Sequence, residues 1–106
     1  MANQSTAINI AKNLATEIRH KNIHLKKVIL FGSHVQGEPN EWSDIDIALV
    51  ADEFIGFGYT DVGLFVDILR NKQYNLVETH TFETNYFEQG DPFIAEIIKT
   101  GIVIDA

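Results

Sequence analysis

The 106-residue chain has no cysteine, two prolines and one tryptophan, and it carries no lysine or arginine between Phe31 and Leu69. Without cysteine there can be no disulfide, thiolate metal site or cysteine nucleophile. No apolar run approaches the roughly 20 residues that a membrane helix needs. The opening MANQSTAINIAK also lacks the cationic-then-apolar layout of a signal peptide. A single-domain cytoplasmic protein spanning residues 1–106, with no membrane association, is the expectation. Positive charge is scarce as well. The formal net charge is -7, which argues against direct binding to a nucleic-acid backbone, because that binding depends on lysine and arginine displacing counterions.

Hydrophobic residues make up 45% of the chain and charged residues 22%, close to ordinary globular usage, so a folded core is expected. Ile8, Ala11, Leu14, Ala15 and Ile18 follow three-and-four spacing, which predicts a first helix capped by Ser5 or Thr6 and ending near His20. KKVILF reads as a buried strand ending at Phe31, after which Gly32 and Gly37 bracket a turn or short helix. EPNEW is a loop, and DIDIALVA is a second strand. The spacing of Val62, Phe65, Val66 and Leu69 predicts a helix over TDVGLFVDILRN. YNLVETHTF is rich in strand formers. Asp91 and Pro92 open a last helix, Gly101 is its left-handed stop, and IVI is a short final strand or extended tail. With no repeat and no internal linker, this alternation predicts an α/β (α+β) fold, a small mixed sheet of three or four strands flanked by helices.

In the second strand Ile45, Ile47 and Leu49 share one face, while Asp44, Asp46, Ala48 and Val50 share the other. A simple wet face would stay polar beyond Asp46. This one turns apolar at Ala48, so the strand is expected to be buried on both sides with two carboxylates at its starting end. They stand about 6 to 7 Å apart at Cα and point the same way. Such a pair is repulsive unless a cation sits between them, and Mg²⁺ is the natural candidate because it takes carboxylate oxygens together with substrate phosphates. Upstream, F-G-S at a strand end places a glycine where backbone can approach a ligand, followed by a hydroxyl and amides suited to phosphate.

GS-x-x-x-G, a short loop and then S-D-x-D on the next strand together resemble the DNA polymerase beta-like nucleotidyltransferase superfamily, especially its minimal stand-alone members. The resemblance implies that Gly32 and Ser33, with Gly37 and Ser43 in the same loop, bind ATP or another nucleoside triphosphate. It implies that Asp44 and Asp46 hold two Mg²⁺ ions. A third carboxylate from a later strand would complete the site, and Glu78 in VETHTF can supply it where Asn75 cannot. The implied reaction transfers a nucleoside monophosphate, AMP in the first instance, to a hydroxyl acceptor, with Asp44, Asp46 and Glu78 as catalytic and metal-binding residues. Relatives of this size pair with a separate helical HEPN-type protein in toxin–antitoxin-like operons, so such a partner, or a homo-oligomer, is expected to complete the acceptor side.

One departure from that pattern stands out. Where many relatives carry a basic residue before the second glycine, this chain has Gln36, so the loop offers the triphosphate no fixed cation unless Arg70 or Lys72 helps. The alternative reading is therefore an antitoxin-like binding module that acts by contact. His80 would share the face of Glu78, first as a structural histidine and second as a neighbour of the metal. His20 and His24 are expected in solvent. Trp42 is read as a lid or packing residue, and Tyr59, Tyr74 and Tyr86 as packing residues.

Overall fold

A computed structural model describes residues 3–40 and 42–105. Helix α1 (Gln4–Arg19) buries Ala7, Ala11, Leu14, Ala15 and Ile18, so the buried stripe starts at Ala7 and the expected Ile8 packs only partly buried at its edge. Its cap is Asn3, whose side chain accepts from the Thr6 amide, rather than Ser5 or Thr6, which lie inside the first turn. Strand β1 (Leu25–Phe31) follows, then the single-turn helix α2 (Ser33–Gln36) and strand β2 (Ile45–Ala51). The EPNEW loop links the last two, with Glu41 outside the described residues.

The helix expected over TDVGLFVDILRN is broken in two, α3 (Gly58–Val62) and α4 (Val66–Leu69). Gly63 ends the first piece, a position where glycine costs a helix about 1 kcal/mol relative to alanine. Phe65 leaves helical geometry at φ -142° and is fully buried, its ring centroid 6.0 Å from that of Phe54. Burial of that one aromatic outweighs continuation of the helix. A 3₁₀ turn at Lys72–Tyr74 leads into β3 (Val77–Glu83), followed by α5 (Thr84–Gln89), α6 (Pro92–Thr100) and β4 (Ile102–Asp105).

Asp91 caps α6 through the Ile94 amide, and Pro92 occupies the first helical position, as its fixed φ favours. Gly101 is not left-handed. Its φ is -80°, and glycine is needed there for closeness: a Cβ would lie 2.5 Å from Ile29 Cγ2 and 2.6 Å from the Ile97 carbonyl oxygen. The chain can thus turn from α6 into β4 directly against β1.

The four strands run in the order β3-β2-β1-β4. β1 is antiparallel to both β2 and β4, whereas β2 and β3 are parallel. The sheet is therefore mixed, with six helices around it. Both its faces are buried, as the apolar run after Asp46 implied. On one face Val28, Leu30, Ile45, Ile47 and Leu49 pack with α1, Phe54 and Phe65. On the other Ile29, Phe31, Ala48, Val50 and Phe82 pack with Phe87, Ile94 and Ile97 from α5 and α6. Burying each large aliphatic side chain stabilises the fold by about 1.5 to 3 kcal/mol. Among the described residues no helix is long and apolar enough to cross a membrane.

Candidate active site

The parallel pairing of β2 with β3 sets Asp46 opposite Glu78, Ala48 opposite His80 and Val50 opposite Phe82. All six belong to the face covered by α5 and α6, so the polar residues at the strand starts share a side with the apolar ones behind them. Asp46, Glu78 and His80 converge until their ligand atoms lie within 4.8 Å of one another. His80 Nε2 stands 3.1 Å from Asp46 Oδ1. Since an ionised carboxylate can only accept, the Nε2 proton makes that bond. The imidazole is held edge-on by Phe31, at a centroid distance of 4.9 Å, and by Phe93 at 5.9 Å.

Gly32 closes the other side of Asp46. It sits at φ +82°, and a Cβ there would lie 2.3 Å from Asp46 Oδ2, so the carboxylate occupies the space that a side chain would need. Ser33 starts α2 immediately afterwards. Gly37 ends α2, its amide bonded to the Ser33 carbonyl at 3.0 Å. Ser43 fastens the loop: its hydroxyl accepts from the Asn40 amide at 3.0 Å, and its carbonyl lies 3.3 Å from His34 Nε2. Asp44 is exposed one residue before β2 and stands outside the Asp46–Glu78–His80 group.

His34 was unassigned in the sequence and proves to be the loop's internal anchor. It is 2% exposed, its Nδ1 has no hydrogen-bond partner, and Gln4 of α1 donates to its carbonyl at 3.1 Å. Gln36, by contrast, is exposed. The loop therefore turns no cation towards the carboxylates. Lys72 instead lines a 230 Å³ depression with Trp42, Ile45 and Asn75, beside the start of β2. Trp42 is 76% exposed, Tyr59 89% and Tyr86 49%, so none of the three is a buried packing residue, whereas Tyr74 is buried.

A second residue that sequence reasoning passed over is Asp61. Its carboxylate is 1% exposed and accepts from the Ile55 amide at 2.9 Å, the Gly56 amide at 2.9 Å and the Thr81 hydroxyl at 2.7 Å. Its position after the glycine-rich GFGYT was the available signal, because aspartate commonly ties such turns through backbone amides. Two roomier hollows, of 390 Å³ around Tyr86 and 650 Å³ between α3 and Thr79, lie away from Asp46 and Glu78 and include neither residue.

The sequence model for polymerase beta nucleotidyltransferases matches residues 12–105. The chain belongs to that nucleotidyltransferase family. Among solved structures it is similar to a protein from Sulfolobus solfataricus described as a nucleotidyltransferase, with a TM-score of 0.65 and 20% identity over 94% of this chain and 80% of that one. It is also similar to a toxin–antitoxin crystal structure containing AMP-PNP, with a TM-score of 0.61 and 21% identity over 89% of this chain and 72% of that one. These likenesses establish a shared fold. No curated protein matches the sequence.

For a nucleotidyltransferase the donor set has the right chemistry. Asp46 and Glu78 bring two carboxylates together with no lysine or arginine in the group, an arrangement that a divalent cation relieves. The close fit of Gly32 against Asp46 adds a fixed backbone wall on one side of that carboxylate.

Proposed function

We propose that this chain transfers a nucleoside monophosphate, with AMP from ATP as the leading case, to a hydroxyl on a partner protein. The observation that carries the reading is the registered pair Asp46 and Glu78 at the start of a parallel strand pair, with Gly32 packed on Asp46. Asp46, Glu78 and the adjacent Asp44 would hold Mg²⁺, which when bound offsets phosphate charge and polarises the α-phosphate. Gly32 and Ser33 would take the triphosphate on the backbone and hydroxyl of the turn, with Gly37 and Ser43 keeping that turn in shape. Glu78 would accept the proton of the attacking hydroxyl, whose oxygen bonds to the α-phosphorus as the bond to the departing pyrophosphate breaks.

The edge of the site is open, which leaves room for an acceptor brought to it from outside the described residues. A HEPN-type helical partner, or a second copy of the chain, would supply that side, and the toxin–antitoxin neighbour supports a partner of this kind. A cytoplasmic location belongs to the same reading. A second reading, neutralisation of a partner by contact alone, draws support from the loop, where His34 is buried and Gln36 is uncharged.

Titrating Mg²⁺-ATP against Trp42 fluorescence and calorimetry tests the proposal. Saturable, Mg²⁺-dependent binding that is lost in Asp44→Asn/Asp46→Asn, together with pyrophosphate release when partner is added, is the expected outcome. Partner neutralisation that survives the double substitution undiminished would instead establish the contact reading.

A further inference from the structure

Resting on the reading of Asp46 and Glu78 as ion ligands, we propose that His80 is a direct third ligand, making this a mixed oxygen–nitrogen site that holds a first-row transition ion such as Mn²⁺ in preference to Mg²⁺. The position of His80 in β3 puts its imidazole in the same group as both carboxylates, with Nε2 already 3.1 Å from Asp46 Oδ1 and all three ligand atoms within 4.8 Å. Asp44, the other carboxylate of S-D-x-D, is not in that group. The nearest three-donor set is thus two carboxylates and an imidazole.

The ring is also prepared for the role. Phe31 and Phe93 hold it edge-on at interplanar angles of 62° in each case, so little side-chain freedom remains to be lost on coordination. The side chain is 23% exposed, so an ion can reach the ring from solvent, and Nε2 is a donor atom whenever the ring proton sits on Nδ1. Mg²⁺ takes oxygen ligands and gains little from that nitrogen, whereas imidazole suits first-row transition ions, zinc and iron above all, and Mn²⁺, itself largely an oxygen-ligand ion, is the member of that row that EPR reads. The alternative role is a positioning residue that stays hydrogen-bonded to Asp46 and never touches the ion.

Pulsed EPR on the full-length protein loaded with Mn²⁺ alone, uniformly labelled with ¹⁵N-histidine, separates the two. The expected result is a ¹⁵N coupling on bound Mn²⁺ that disappears in His80→Gln. By calorimetry Mn²⁺ should bind at least ~10-fold tighter than Mg²⁺, with that ratio collapsing in His80→Gln, because an imidazole on the ion favours Mn²⁺ whereas an orienting residue would support both ions alike. His80→Gln and Asp46→Asn are first checked by circular dichroism for native folding. Mn²⁺ bound through Asp46, as shown by its loss in Asp46→Asn, but without histidine coupling would overturn the inference and leave the proposed transferase site standing. Binding of neither ion to the native protein would overturn both.

Discussion

Two aspartates, Asp46 and Asp61, have opposite surroundings in one small molecule. Asp61 is sealed, and three donors from Ile55, Gly56 and Thr81 satisfy its oxygens. Asp46 lies half-buried at an open edge, with a single imidazole on one oxygen and a second carboxylate nearby. Burial alone would have selected Asp61 as the unusual residue. Spare capacity to accept selects Asp46 instead. A structural carboxylate has its bonds completed by the fold, whereas a site carboxylate is positioned by the fold and left to be completed by a ligand.

The largest expected effect tests that division directly. Asp61→Asn turns one acceptor into a donor facing a backbone amide or the Thr81 hydroxyl, which should cost about 2 to 4 kcal/mol for the buried groups left unpaired. Thermal unfolding should then drop by roughly 10 to 20 °C in a domain of this size. Asp46→Asn should leave stability within about 0.5 kcal/mol, since it removes one of two neighbouring like charges. Equal losses from the two substitutions, measured by denaturant melts, would break the comparison.

Gly32→Ala sharpens it from the backbone side. At φ +82° and ψ -150° the position suits glycine, and the added methyl meets Asp46 Oδ2. A cost of about 1 to 3 kcal/mol is expected from the backbone, accompanied by displacement of the Asp46 carboxylate. Mg²⁺-ATP affinity should fall further than the stability change alone would produce. Parallel titrations of ATP and of denaturant would show whether the two losses separate.

The smallest effect concerns a third kind of carboxylate, partly exposed but tied. Tyr86 donates to Asp91 Oδ2 at 2.5 Å, and that bond, with the α6 amide of Ile94 behind it, holds the Asp91 carboxyl below its ordinary value of 3.8. Because the folded value is depressed, the contribution is complete above 3.8 and fades as pH falls through the lower folded value. A slight loss of melting temperature is expected only in that acid range. Tyr86→Phe should shrink that loss, because the folded value then lies nearer 3.8, and an unchanged acid limb would rule the bond out as its cause.

Much of this was legible in the sequence because it rests on local pattern. Three-and-four spacing gives α1, Asp91-Pro92 gives the start of α6, and the run after Asp46 shows a strand buried on both faces. Glu78 could be nominated from its strand and from a resemblance, and the register shows why it stands opposite Asp46. What stayed hidden depends on tertiary contact. The burial of Phe65 splits a helix that spacing alone would continue, and Gly101 is required by Ile29 on a distant strand rather than by its own φ. Asp61 and His34 are ordinary polar residues in sequence, and only folding shows one saturated and the other enclosed.

The parallel pairing of β2 and β3 also bears on how the molecule comes to be made. β1 and β2 are near in sequence and antiparallel, so they can pair early, whereas β3 must return across the long connection of residues 52–76 before Glu78 meets Asp46. Closing such a loop is slow because its entropy is lost before its contacts form. A chain still emerging from the ribosome, or one trapped with only its first two strands paired, would carry Asp44 and Asp46 without Glu78 or His80 beside them. The Asp46–Glu78–His80 cluster is therefore a late product of folding, present only once the slow parallel pairing has closed.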